Sequence, residues 1–370
     1  MALSERLKYA RERAGLTLAQ VRDATGIVES SVSDFENGHR EPKLSQLQSL
    51  AKTYHRSIEF LLSDEALPRE IVLWRERPQD KPEQLEAQFL EYCSHYRNLE
   101  VWNEEVIEPY LPPAGGDADS YDFGDAEVLA KQVRDVLGLG ERPGVELLRV
   151  LEEICGAKVF HKSFQPSGIA ASTRSDEIGL AILLNAENKR WRRNYDLAHE
   201  LFHLLTWKVF RKPADESSAQ ASEREEMLAE VFASCLLLPA ETFTATMKRY
   251  SCVDDVPVDV YFDVARQFDV SVDAVVWRWH NLCRKKAEDV DKTKAVMRET
   301  ERLSGLLEQR EDTKPGKWPD RYKALAVEAL RRGRISTGRF AEYMEISRRA
   351  AMDYVAWEAR ESEEDQAAVA

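Results

Sequence analysis

No two of the five cysteines stand in CxxC spacing. Cys93, Cys155, Cys235, Cys252 and Cys283 are scattered and odd in number. That excludes a cysteine zinc site and a disulfide framework, and it points to reduced thiols in a cytoplasm. No apolar run approaches the roughly 20 residues that span a bilayer, so no membrane partner is expected. The opening stretch MALSERLKYARERAG spreads its charges instead of placing a basic start before an apolar run, and it is not read as a signal peptide. Positive charge is in deficit. The 52 Lys+Arg face 66 Asp+Glu, a net charge of -14. Nucleic-acid binding by the whole surface is thereby excluded, while a local basic module is not. Tandem repeats are also absent.

What is present is a chain of 370 residues, long enough for two or three domains. Residues 1–66 carry apolar positions at helical spacing in LSERLKYARERAGL, LAQVRDATGI and LSQLQSLAKTYHRSIEFLL. Breaks fall at Gly15, Gly26 and Asn37-Gly38, with Thr17 a helix N-cap, so a five-helix bundle with a helix-turn-helix is expected. Residues 67–119 read as a helical connector and linker, broken by prolines around the helix LEAQFLEYCSHYRNLEVW. Residues 120–285 are of mixed class: helices, a strand after Gly156, and the short apolar run GLAILLNAE of strand length. Residues 286–370 read as a charged linker and a C-terminal helical, helix-turn-helix-like module, YKALAVEALRRGRISTGRFAEYMEISRRAAMDYV, ending in the acidic tail EARESEEDQ. The expected fold class is mainly α with a small β-sheet, that is α+β.

The chemistry concentrates in WRRNYDLAHELFHLLTW. His199 and His203 stand four apart, hence on one face of a helix, where two imidazoles can share a metal ion. Glu200 points to the side, placed to take a proton from a metal-activated water. Core histidines are the plainer alternative, but Leu197, Ala198, Leu201, Leu204 and Leu205 already supply that helix with apolar contacts. No third histidine follows at HExxHxxGxxH spacing, so the third ligand is sought on the later helix EREEMLAEVFASCLLLP. Glu226 is the first choice, with Glu230 or Glu225 in reserve. Glu226 and Glu230 border the same helix face, so Glu230 is the candidate acceptor for the other ring N–H of a ligating histidine. The competing reading makes these glutamates an exposed acidic face.

GLAILLNAENKRWRRNYDLAHELFHLL followed by EEMLAEVFASCLLLP resembles the ImmA/IrrE family of zinc metallopeptidase domains over about residues 120–285. The resemblance implies a zincin-like α+β fold, zinc as cofactor, His199, His203 and Glu226 as ligands, and Glu200 as general base. Two positions depart from the family pattern. Phe202 replaces a glycine, which puts bulk beside the metal and would narrow the cleft, and Glu230 replaces an Asn or Asp. Peptide hydrolysis is the implied reaction, with residues 181–185, AILLN, as a strand to which an extended substrate could add. Tyr195, His161 and His280 are open as oxyanion helpers.

Residues 5–62 resemble the Xre/Cro-like helix-turn-helix domains of phage repressors, including FENGHREPKLSQLQSLAKTY. At the start of the second helix of the motif the base-reading positions would be Glu29, Ser30, Ser33 and Asp34, which lack a guanine-reading arginine and place acids near phosphates. Leu18 stands where such domains carry a glutamine. Arg11, Arg13, Arg22, Arg40 and Lys43 are the phosphate candidates.

The combined expectation is a cytoplasmic zinc endopeptidase fused to a DNA-binding-type domain. Its protein substrate would be a specific repressor encoded nearby, and operator DNA, or alternatively another repressor-like protein, would be a second partner through residues 1–66. The reading leaves room for a homodimer. Two alternatives stand beside it: a non-catalytic or antitoxin-like regulator with a structural or sensing zinc site, and a peptidase toxin.

Overall fold

The computed structural model describes residues 2–65, 71–165, 170–175, 177–211, 220–250, 256–304 and 314–355. The acidic stretch EARESEEDQ and most of the loop RKPADESSAQASE lie outside them. Among the described residues, those of 1–70, 78–106 and 318–370 form one compact unit, and those of 71–77 and 107–317 form a second.

The first unit opens with α1 (Leu3–Arg13), α2 (Leu18–Thr25), α3 (Glu29–Glu36), α4 (Leu44–Thr53) and α5 (Ile58–Leu62). Thr17 starts α2 by accepting from the Gln20 amide, and Gly26 ends it with φ 73°, a left-handed turn that glycine adopts without strain. Leu7, Val21, Val32, Phe35, Leu50 and Tyr54 make the core of this five-helix bundle. After the two-residue strand β1 (Leu73–Trp74), the chain forms α6 (Pro82–Asn103). That helix buries a broad face, including Glu86 and Glu100, rather than a narrow apolar stripe.

The second unit runs through α7 (Phe123–Val136), α8 (Pro143–Glu153), β2 (Lys158–Lys162), β3 (Ala170–Ser175) and β4 (Gly179–Asn185). It continues with α9 (Arg190–Leu205), α10 (Trp207–Phe210), α11 (Glu223–Leu237), α12 (Ala240–Tyr250), α13 (Val258–Phe268), α14 (Val272–Leu282) and α15 (Ala287–Ser304). Its sheet has the order β1-β3-β4-β2. β4 pairs antiparallel with β3 and parallel with β2. The expectation that residues 181–185 receive a substrate strand is therefore corrected: both edges of β4 are already paired, and no ladder position is left on it. The charged segment after residue 285 is not a free linker either. Val290 and Met297 of α15 are buried in the core of this unit.

The chain then returns to the first unit with α16 (Asp320–Arg331) and α17 (Thr337–Tyr343), followed by helical residues 348–355. These do not stand apart as a module of their own, because α6 supplies the surface they pack on. Asn103 donates to the Leu325 carbonyl at 2.9 Å, and Arg321 meets the buried Glu100 at 2.6 Å. Tyr92 packs edge-on against Trp318, and His95 stacks on Tyr343.

Candidate metal centre

α9 packs on β3 and β4 and on α11, which buries every residue from Asp196 to Leu205. Burying Leu197, Leu201, Leu204 and Leu205 contributes about 1.5–3 kcal/mol for each side chain. That offsets part of the cost of desolvating the polar groups between them. One helical turn brings the Nε2 atoms of His199 and His203 to 3.3 Å from each other. α11 brings Glu226 to the same point: its Oε2 lies 2.9 Å from His199 Nε2, and its Oε1 lies 3.4 Å from His203 Nε2. The three residues offer ligand atoms within 4.8 Å of one another. Two imidazole nitrogens and one carboxylate oxygen converging at one place fit zinc, which favours tetrahedral N and O donors and keeps a position open in catalytic sites.

Glu225, the residue before the third candidate ligand, takes the part foreseen for Glu230. Its Oε1 lies 2.9 Å from His203 Nδ1, and Arg211 grips its two oxygens at 2.6 and 3.0 Å. A carboxylate held in this way accepts the Nδ1–H and leaves Nε2 free to face Glu226. Glu230 is instead engaged by Arg75 at 2.9 Å, and its backbone carbonyl accepts from Tyr195. The correction has a geometric reason. Glu230 lies one turn beyond Glu226 along α11, whereas Glu225 and Arg211 close on His203 from the other side.

Burial drives His199 down to about 4. At His203 burial pulls the same way, but hydrogen bonds to Glu225 and Glu226 outweigh it and raise the pKa. Glu200 is fully buried, and neither of its oxygens has a hydrogen-bond partner of normal geometry. Desolvation pushes it up to about 7, against the pull of His203 and of the nearby Ser172 hydroxyl on β3. A carboxyl poised near neutrality is suited both to take a proton and to return it.

Phe202 does not narrow a cleft. It is buried among Tyr121, Phe210 and Phe232, with ring centroids 5.6 to 6.3 Å away, so it fills the core behind the metal helix. Of the oxyanion candidates, His280 is held by the Val276 carbonyl and Thr293. His161 lies on β2, paired with Leu184 on the side of β4 away from β3. Tyr195 spends its hydroxyl on Glu230.

In the first unit, α3 presents Glu29, Ser30, Ser33 and Asp34 as at least partly accessible positions. Arg22 pairs with Asp23 and Glu29 at 2.8 and 2.5 Å. Arg11 does not offer its guanidinium to a phosphate, because it is largely buried against Glu36 in a two-point contact at 2.7 and 2.9 Å. Arg40 and Lys43 remain exposed, with Arg40 lying over the Phe35 ring.

Comparison with known proteins matches two stretches of the chain to family models. Residues 152–280 match the IrrE N-terminal-like domain of the Peptidase_M78 family, and residues 2–59 match a helix-turn-helix domain. The chain is similar to the HTH-type transcriptional regulator DdrOP3 of Deinococcus deserti, 42% identical over 62 residues, which are 17% of this chain and 48% of that protein. It is also similar to the HTH-type transcriptional regulator ImmR of Bacillus subtilis, 30% identical over 69 residues, covering 19% of this chain and 54% of that one. The chain thus spans about half the length of these two relatives. A Mycobacterium tuberculosis transcriptional regulator of known structure is 15% identical, with a TM-score of 0.31 over 50% of this chain and 51% of its own, a likeness too distant to support an argument. Residues 2–59 are accordingly a helix-turn-helix domain, joined in one chain to an IrrE N-terminal-like, metallopeptidase-like domain at residues 152–280.

Proposed function

We propose that this protein is a cytoplasmic zinc endopeptidase that cuts a specific partner protein, a repressor, and that its helix-turn-helix domain binds operator DNA to bring the two together. The observation that carries the reading is the convergence of His199, His203 and Glu226 with a buried Glu200 beside them. His199, His203 and Glu226 would hold the ion. When bound, zinc would supply Lewis acidity toward a scissile carbonyl and toward the water that attacks it. The protein's own residues do the rest. Glu225, locked by Arg211, orients His203. Glu200 takes a proton at its carboxylate and returns it to the leaving amine nitrogen. Burial raises that carboxyl above the usual carboxylate range in the metal-free chain.

The regulator names of DdrOP3 and ImmR support a transcriptional setting for the helix-turn-helix half. A second reading, a regulator whose zinc is structural or sensing, draws on the burial of the centre: His199 and Glu200 are 0% exposed and His203 2%. One comparison separates the two. Zinc-loaded protein is incubated with the repressor encoded beside it, alongside the Glu200→Gln variant. The peptidase reading expects cleavage by the wild type only, with equal zinc content in both. Full biological activity of Glu200→Gln would sink it.

A further inference from the structure

The sheet has two outer strands, and the residue just after one of them, Arg75 after β1, reaches the helix that carries His199 and His203. β2 lies at one end of the order; β1 lies at the other, on β3, and α9 packs on β3. β1 is two residues long. Leu73 faces Ser172, the hydroxyl that neighbours Glu200, and Trp74 faces Ala171. The Arg75 amide donates to the Ala170 carbonyl at 3.1 Å, and the Ile71 carbonyl accepts from the Thr173 side-chain hydroxyl at 2.6 Å. Leu73 and Trp74 thus lie antiparallel along β3, with a bond on either side of them, as an added peptide lies on an exposed sheet edge. They reach the second unit as an isolated piece of chain, since residues 78–106 belong to the first.

The side chain that follows the strand meets a specific acceptor. Arg75 is 2.9 Å from Asp196 and 2.9 Å from Glu230, with its guanidinium over the Tyr195 ring at 5.8 Å. Asp196 is fully buried and stands one turn before Glu200 on α9; Glu230 stands one turn after Glu226 on α11. One arginine therefore straps together the two helices that carry the candidate centre. A planar guanidinium between two carboxylates, stacked on an aromatic ring, is arginine recognition of a kind lysine reproduces poorly.

We propose that residues 71–77 sit as a tethered strand on the peptide-binding edge of β3, and that Asp196, Glu230 and Tyr195 form a subsite for an arginine of the incoming peptide, filled here by Arg75. The proposal rests on the metallopeptidase reading for the claim that this edge receives substrate. Substrate is then an extended segment with an arginine at the matching position, and it gains access when β1 leaves.

The test is binding, not hydrolysis, so its failure is distinguishable from failure of the peptidase reading. A fluorescein-labelled heptapeptide IVLWRER, copied from residues 71–77, is titrated by anisotropy into the zinc-loaded full chain and into its Leu73→Pro/Arg75→Ala variant. The variant is expected to bind at least tenfold more tightly than wild type, and a peptide with alanine for its first arginine is expected to lose that gain. Equal binding of IVLWRER to both proteins, or equal binding of the two peptides to the variant, overturns the proposal. Hydrogen exchange on the wild type gives an answer even if the variant fails to fold. The Arg75 amide should exchange at least tenfold faster than the amides of β4, through local release of the strand. Exchange of both at the same rate, only on unfolding of the whole unit, overturns it as well.

Discussion

Glu225 Oε1 stands 2.9 Å from His203 Nδ1 and is held there by Arg211 on the opposite side. Removing the carboxylate leaves the ring N–H without an acceptor and frees the imidazole to rotate. Glu225→Ala is therefore expected to weaken zinc binding about 10–100-fold, measured by competition with a chromogenic chelator. Unchanged affinity would show that Glu225 serves only Arg211.

Phe202 gives a prediction of stability. It is fully buried, with the rings of Tyr121, His203, Phe210 and Phe232 around it. Phe202→Ala should destabilise the protein by about 3–5 kcal/mol through a cavity, read from urea unfolding. A variant as stable as wild type, with faster peptide hydrolysis, would restore the view that this ring crowds a cleft.

Two arginines of the helix-turn-helix domain should separate cleanly. Arg11→Ala breaks a mostly buried pair with Glu36 and should cost about 3 kcal/mol of stability. Arg40→Ala touches an exposed group and should leave the melting temperature in place. On a DNA duplex of arbitrary sequence it should lower the slope of log affinity against log salt by about 1. If Arg40→Ala leaves that slope intact, this arginine meets no phosphate.

The histidine of α6 sets a pH dependence. Burial lowers His95 to about 4, with Glu91 opposing and Arg339 assisting. Its unfolded value is about 6.5, so between those limits the unfolded chain binds a proton that the folded one refuses. The stabilisation is complete above the unfolded value and is lost as pH falls toward the folded one, at most about 1.4 kcal/mol for each pH unit. Melting temperature should fall on acidification from about pH 7 to about pH 5, and His95→Phe should fall less. Parallel curves would rule His95 out as the source.

How much of this was legible beforehand follows from how far apart the partners lie. His199, Glu200 and His203 share one helical turn, so their spacing alone places them on one face. Glu226 could be reached from the face of the next long helix. Arg211 and Glu225 could not, because their meeting with His203 depends on how α9, α10 and α11 pack. The strand β3, AASTRS, has little apolar signal of its own and is buried by its neighbours. β1 is harder still: Leu73 and Trp74 pair with Ser172 and Ala171 far along the chain, and nothing local announces their pairing. The same holds for α6 with α16 and α17, where the sequence reads a connector and a separate module but the folded chain builds one body.

That last arrangement bears on the order in which the protein is made. α1 to α6 leave the ribosome first, then the whole second unit, and only afterwards α16 and α17, which supply the partners of Asn103, Glu100 and Tyr92 on α6. Synthesis at about 5–20 residues per second leaves α6 waiting for its covering helices throughout the making of the second unit. A nascent chain can therefore finish the metallopeptidase-like half before the half that carries the helix-turn-helix is closed.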